Sequence, residues 1–323
     1  MCIVSIIIPH FNRSFLLKET LVSVAAQTFT DWEVIIVDDG SDAEELGVAG
    51  GYCNEKIKLI QRREGIKGPS TCRNLGVKLA KGDYLFFLDS DDLLATFCLQ
   101  QRIAVMEANK QLDMGIFLME NFKNNPGDIK KNFNADVPMV QSIQLFLQNK
   151  NPWNVTCPIW RKGFFCELNG FDENFLFMED PELHVRALNY PAVNIKTFYN
   201  FPADSYYRLH HIDDTKSSFN YNSIYYRILF YKKLLSTYDM QFIKKNGQAI
   251  KSGIYSMVKT FLYSRKNEFP DLYLQFFNFI NASDVFSFAE KKRLLFLINT
   301  GNSQSCLSKK LHLRGICYKL LPG

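Results

Sequence analysis

The sequence predicts an α/β domain built on an open, mainly parallel twisted sheet with helices on both faces, followed by a helical C-terminal extension. Three observations carry this prediction. Residues 1–120 alternate short β-branched runs with helical patterns, and such alternation calls for parallel strands joined by crossover helices. Polar clusters follow three strand candidates, as PHFN, DDGSD and DSDD, and in this class ligands gather outside the carboxyl ends of the strands. Beyond residue 218, aromatic and aliphatic residues recur amphipathically with Lys and Arg between them, as in IYYRILFYKKLL, which reads as helix.

The elements follow in order. SIIIP precedes the helical FLLKETLVSVAAQ, EVIIVD precedes a helix or loop reaching about residue 53, and KIKLI precedes STCRNLGVKLA. DYLFFLD precedes LLATFCLQQRIAVMEAN, read as one helix, and MGIFLM closes the series as a strand. Residues 121–138 are polar and rich in Asn, Gly and Pro, which marks a loop. From about 140 to 218 the chain reads as mixed α+β, with VTCPIW and VNIKTF as strands and MEDPELHVRALNY opening a helix. These readings set a domain over 1–218, divided at 120/121, and a basic, aromatic helical region over 219–323.

At 323 residues and 47% apolar content, the chain can bury a sizeable core. Its eight cysteines form no C-x-x-C pair and no Cys/His cluster at zinc spacing, so they read as reduced thiols. The start, MCIVSIIIPHFN, lacks a basic n-region and a cleavage site, and no run reaches the ~18 apolar residues of a spanning helix. A cytoplasmic location is the expectation. The net charge of +5 conceals an asymmetry: residues 219–323 hold 16 Lys+Arg against 5 Asp+Glu, leaving 22 against 28 for residues 1–218. A basic segment can attract nucleic acid, anionic lipid or a phosphorylated carrier, and charge alone does not choose among them.

Four runs in order, SIIIPHFNR, VIIVDDGSD, GPSTCRNLGV and YLFFLDSDD, with FDENFLFMEDPELHVRAL further on, resemble the family-2 inverting glycosyltransferases of the GT-A fold. The resemblance is good over 3–92, fair over 153–218 and absent beyond. An isolated Asp-Asp-Gly-Ser says little; five matches in order and spacing say much more. The resemblance implies a nucleotide-binding half over 1–120 and an acceptor half over 121–218. It further implies metal-assisted transfer of a sugar from a nucleotide-diphosphate donor, commonly a UDP-sugar, to a hydroxyl of a glycan or lipid-linked acceptor.

In Asp89-Ser90-Asp91-Asp92, Asp89 and Asp91 are two apart, so persisting strand geometry would point both carboxylates to one side, with Ser90 opposite. Carboxylates would repel a diphosphate unless a divalent cation stood between them, and hard oxygen ligands suit Mn²⁺ or Mg²⁺. The resemblance implies Asp91 as the direct metal ligand, Asp89 on the donor or the metal, and Ser90 among the donor-binding residues. The plainer alternative is that Asp91 or Asp92 caps a helix starting near Leu93.

In Asp38-Asp39-Gly40-Ser41-Asp42, adjacent acids can accept hydrogen bonds from a base or a ribose; by resemblance Asp39 meets the nucleobase. Ser41 or Asp42 reads equally as a helix cap. Pro9, His10 and Phe11 would form the other wall of the base pocket. Arg73 lies about one turn inside a helix opened by Pro69, where its guanidinium would pair with the diphosphate or brace an acid.

Inverting displacement needs a base on the face opposite the leaving group. The family's Glu-Asp motif places that role on Asp180, with Glu179 beside it. Asp180-Pro181-Glu182 is also a model N-cap, N1, N2 signature, and capping N–H bonds would hold the pKa of Asp180 low. Tyr206-Tyr207-Arg208 with His210 and His211 resembles the family's tail loop, where a histidine would reach the metal or the diphosphate. His184, Arg186, Trp153 and Trp160 read better as packing residues.

The basic region over 219–323 carries no transferable motif. Its sharper reading is peripheral contact with the inner face of a membrane; its plainer one is a solvated helical extension. Nucleic acid is not expected as a partner, because the acidic half offers no matching basic face. The competing functions are a nucleotidyltransferase, which lacks support because PHFNRS is not a Gly-rich basic loop, and a non-catalytic nucleotide-sugar-binding protein, against which the acids at 39, 89, 91 and 180 argue.

Overall fold

The structure, a computed structural model, describes residues 4–134, 136–209, 217–301 and 313–321. Contacts between backbone segments divide the chain into two units. The first is Met1–Ser142 with Asn151–His211, and the second is Ile143–Lys150 with Ile212–Gly323. The chain thus enters the second unit twice, whereas the sequence suggests one boundary at 218.

The first unit is built on a seven-stranded sheet. Strands β1 (Val4–His10), β2 (Trp32–Asp38), β3 (Ile57–Gln61) and β4 (Tyr84–Phe87) are mutually parallel in the order β3-β2-β1-β4. The apolar runs that predict these strands are buried along their whole length in β1, β2 and β4 apart from Pro9, which is partly so, as a parallel sheet covered on both faces requires. Leu93–Leu94 forms β5, Met114–Ile116 β6, Met119–Phe122 β7, Pro158–Arg161 β8, Ile195–Thr197 β9 and Ser205–Arg208 β10. The large sheet continues through β8, antiparallel to both β4 and β6, and ends on β9. A second, three-stranded sheet pairs β10 with β5 and β7.

Helices α1 (Ser14–Ala25), α2 (Ala43–Gly50), α3 (Pro69–Leu79) and α4 (Cys98–Ala108) follow the strands as the alternation predicts. Ile6 and Ile8 of β1 share one core with Leu17, Leu21 and Val24 of α1, Phe86 of β4 and Leu99 and Ile103 of α4; each such side chain contributes about 1.5–3 kcal/mol on burial. Ile7 points to the opposite face. There it meets α3 at Gly76, where a methyl group would run into Ile7, so glycine lets the helix lie close to the sheet.

Two elements depart from the sequence reading. LLATFC is not helical at its start, because Leu94 pairs with Ser205 and Leu93 with Tyr206 as a short strand; α4 begins only at Cys98. MGIFLM divides between β6 in the large sheet and β7 in the small one. Of the loop expected over 121–138, residues 121 and 122 belong to β7; the described residues beyond them form a loop, with an isolated bridge between Glu120 and Asn132 at its edge.

The second unit is helical. Helices Ser217–Thr237 and Met240–Met257 are joined at Asp239, whose side chain accepts from the Phe242 N–H at 2.8 Å. A π-helical turn, Val258–Leu262, and helices Pro270–Ala282, Phe288–Gly301 and Leu313–Leu320 follow. Residues 143–150 are held within this unit: Tyr231 Oη donates to Leu147 O and Asn149 Nδ2 to Gly253 O, both at 2.9 Å. Among the described residues, no helix is long and apolar enough to cross a membrane.

Candidate functional site

The carboxyl ends of β1, β2 and β4 open into a cleft of about 500 Å³. Pro9, His10, Phe11, Asp39, Arg73, Asp89, Ser90, Asp91 and Glu179 all line it, so nearly every residue singled out from the sequence reaches one place. Asp180 is not part of that lining and is linked to it through Arg73, 3.9 Å away. His210 and His211 fall outside the described residues, and their expected role stays an expectation.

The acidic turn works differently from the strand-based expectation. β4 ends at Phe87, and residues 89–92 form a turn closed by Asp92 N donating to Asp89 O at 3.2 Å. Asp89 and Asp91 therefore face the cleft because of a turn, not strand alternation. Nor does either Asp91 or Asp92 cap a helix at Leu93, since Leu93–Leu94 is β5. Asp92 is buried, where it accepts from Arg208 N at 3.1 Å and Thr156 Oγ1 at 3.4 Å; burial, then the charges of Asp89 and Asp91, hold its pKa well above the ordinary carboxylate range.

Each cleft acid has an arginine. Arg13 Nη1 lies 2.6 Å from Asp91 Oδ2, Arg62 Nε 2.5 Å from Asp39 Oδ1, and Arg73 Nη2 2.7 Å from Asp89 Oδ1. Arg208 Nε donates to Asp91 O at 2.8 Å, and its Nη2 pairs with Glu19 at 2.6 Å. Arg13 and Arg62 were not among the sequence candidates. Arg62 was within reach of the sequence: β2 and β3 are parallel with Asp38 opposite Gln61, so the residues just past the two strand ends are neighbours.

On the other wall, Asp38 accepts from Gly40 N at 3.0 Å and Ser41 N at 3.1 Å, closing the turn that presents Asp39. Gly40 sits at φ 92° there, a conformation that favours glycine. Neither Ser41 nor Asp42 makes a side-chain cap to α2; Ser41 Oγ and Asp42 Oδ2 instead accept from Asn12 N and Nδ2. His10 is only 1% exposed, and neither ring nitrogen has a hydrogen-bond partner among the described residues. Burial lowers its pKa, with Asp38 and Glu45 pulling the other way.

Arg73 is the hub. Besides Asp89 it approaches Glu179 at 3.4 Å and Asp180 at 3.9 Å while remaining almost fully buried. Burial alone would disfavour its charge; Asp89, Asp180 and Glu179 together more than compensate.

The helix Glu179–Leu188 starts at Glu179, with Met178 in the cap position at φ 68°. Asp180 is therefore inside the first turn, not the cap. Its Oδ2 accepts from Val155 N at 3.0 Å. That bond favours the carboxylate, yet burial and the neighbouring Glu179 outweigh it and push the Asp180 pKa up to about 8, overturning the expected low value. Glu179 is also raised by burial, with Arg73 opposing. Beneath this turn, His184 packs between buried Trp153 and Trp160, with ring centroids 5.6 and 5.8 Å away, and burial pulls its pKa down to about 3. Arg186 pairs with Glu182 at 2.7 Å.

Among the described residues, no three His, Cys, Asp or Glu side chains converge as a ready metal cage. Asp89 and Asp91 nevertheless offer two hard oxygen donors on one wall, a set that suits Mg²⁺ or Mn²⁺ when substrate phosphates and water complete the shell.

Residues 5–164 match the family described as Glycosyl transferase family 2. EpsJ of Bacillus subtilis (strain 168), described as an uncharacterized glycosyltransferase, is 29% identical over 194 residues, covering 57% of this chain and 56% of that protein. WfgD of Escherichia coli, a UDP-Glc:alpha-D-GlcNAc-diphosphoundecaprenol beta-1,3-glucosyltransferase, is 34% identical over 107 residues, covering 33% of this chain and 42% of its own length. The chain thus spans about half the length of these curated relatives. Among solved structures, S. aureus TarS 1–349 in complex with UDP-GlcNAc superposes with a TM-score of 0.66 at 19% identity, covering 99% of this chain and 90% of that one. At that identity the likeness is one of fold.

Proposed function

The chain belongs to glycosyl transferase family 2 through residues 5–164 and has the GT-A fold, and from that premise we propose that it is an inverting, metal-assisted glycosyltransferase. The donor is a nucleotide-diphosphate sugar, with a UDP-sugar favoured by the ligand of TarS. The acceptor is a hydroxyl of a glycan or lipid-linked saccharide, the class named for WfgD. The observation that carries the reading is the convergence of Asp39, Asp89 and Asp91 on one cleft, with Asp180 tied to it through Arg73.

Asp39, oriented by its ion pair with Arg62, accepts from the base or the ribose. Pro9, His10 and Phe11 form the facing wall. Asp89 and Asp91 would hold Mn²⁺ or Mg²⁺, which supplies charge neutralisation for the leaving diphosphate when bound. Arg13 releases Asp91 when the diphosphate arrives and turns its charge to the phosphates. Asp180 takes the proton of the acceptor hydroxyl as that oxygen bonds to the anomeric carbon from the face opposite the leaving group. Val155 N–H aims the carboxylate, and Arg73 offsets part of the burial that would keep it protonated.

The test is a thermal-shift panel of nucleotide sugars with and without Mn²⁺, followed by transfer assays with the stabilising donor. Stabilisation by one UDP-sugar only with metal is the expected result. No stabilisation by any nucleotide sugar under either condition would refute the reading.

A further inference from the structure

Helix Phe288–Gly301 sits in the second unit and turns an aromatic and cationic face outward. Phe288 and Phe296 are 71% and 64% exposed; at this spacing they lie on one face. Lys292 stands between them, its Nζ 4.3 Å above the Phe288 ring. The other side of the same helix is aliphatic and buried, through Leu294, Leu295, Leu297 and Ile298. The core therefore takes the aliphatic residues and leaves both phenylalanines in water. Arg293 Nη2 donates to Leu320 O at 3.4 Å, which sets exposed Leu320 beside the same face. The helix's sole acid, Glu290, is paired with Lys251 at 2.8 Å and opposes none of these cations.

We propose that this face docks on an anionic lipid bilayer, with Phe288 and Phe296 entering the boundary between headgroups and acyl chains and Lys292 and Arg293 meeting lipid phosphates. The charge of the region fits that partner, since residues 219–323 carry 16 Lys+Arg against 5 Asp+Glu. A soluble polyphosphate chain would engage the cations but give the two rings nothing to bury against. A second copy would bring a like-charged face. The proposal deepens the lipid-linked acceptor reading above and rests on it, because a catalyst whose acceptor is held in a membrane gains by residing at its surface.

The experiment is co-sedimentation of the full chain with phosphatidylcholine vesicles, with or without phosphatidylglycerol, for the unchanged protein, Phe288→Ser/Phe296→Ser and Lys292→Glu/Arg293→Glu. Circular dichroism and thermal melts confirm that each variant is folded. Binding only to phosphatidylglycerol vesicles is expected, weakened about tenfold or more in either variant and reduced by salt for the unchanged protein. Equal binding by both vesicle types, no binding, or unchanged binding by the folded variants would overturn the proposal. So would a dimer in sedimentation velocity that Phe288→Ser/Phe296→Ser dissociates, which would assign the face to a second copy. Transfer to a water-soluble acceptor without vesicles is read separately: vesicle binding without any transfer would sink the enzymatic reading and leave the surface standing, and the converse would do the reverse.

Discussion

Asp89 and Asp180, far apart in the chain, share the guanidinium of Arg73, which lies 2.7 Å from the first and 3.9 Å from the second. The side of the cleft assigned to the leaving group and the side assigned to the base are therefore electrostatically joined before any substrate arrives.

Replacing Asp180 with Asn should leave donor affinity near that of the unchanged protein and lower transfer by about 10²–10⁴. Titrating the donor by calorimetry and measuring turnover separates the two effects. Near-normal transfer would refute the base assignment.

The raised pKa of Asp180 gives a pH dependence with a definite sign. Burial and Glu179 move it from 3.8 up to about 8, so the base fraction, and with it kcat/KM, should rise with pH and level off above about 8. Stability should move oppositely. The folded chain retains a proton that the unfolded chain has released, so this residue's contribution declines as pH rises from 3.8 through about 8. Denaturant midpoints from pH 5 to 9 should fall less steeply in Asp180→Asn than in the unchanged protein.

Arg73→Ala removes a buried cation from Asp89, Glu179 and Asp180 and should cost about 3 kcal/mol in denaturant unfolding. The loss should grow with pH, because burial already raises Glu179 and Asp180, and without Arg73 both favour the protonated form further. Arg73→Lys keeps the charge without the fork that spans both partners, so it should recover only part of the stability.

Arg13 is about half exposed where it pairs with Asp91, so Arg13→Ala should change stability by no more than about 1 kcal/mol. It should also remove one cation from Asp91 and strengthen Mn²⁺ binding in the absence of donor, measured by calorimetry. Asp91→Ala should abolish that binding, and EDTA should abolish transfer. Activity that survives exhaustive chelation would remove the metal from the proposed reaction.

His10→Leu replaces a buried ring whose nitrogens lack partners among the described residues. The empty protein should be as stable as before or gain up to about 1 kcal/mol. UDP affinity should fall. Unchanged UDP affinity would take His10 out of the donor site.

The parallel half of the fold was legible because β1, β2 and β4 are runs long and apolar enough to be covered on both faces, and the polar clusters after them mark the ligand edge. Leu93–Leu94 was not, since nothing local tells a two-residue strand from a helix start; its partner, β10, lies a hundred residues on. The site acids were legible from their motifs, but their states were not. Asp180-Pro181-Glu182 looks like a cap from sequence, yet the left-handed turn at Met178 starts the helix earlier and leaves Asp180 among Arg73, Glu179 and Val155. Arg13 on Asp91 needs a contact across 78 positions, which no periodicity reports.

Residues 143–150 belong to the second unit, where Tyr231 and Gly253 hold Leu147 and Asn149. The polypeptide is therefore stitched across the two units, so a stop codon at 218 would not yield a free-standing catalytic fragment. It would strip the surroundings from a segment in the middle of the remaining chain, ending in an unpaired Leu147 carbonyl and exposed aliphatic side chains. Gene-trimming that seeks a minimal version of this protein would select for aggregation, and point changes on the outer surface are the cleaner instrument for learning what the C-terminal helices do.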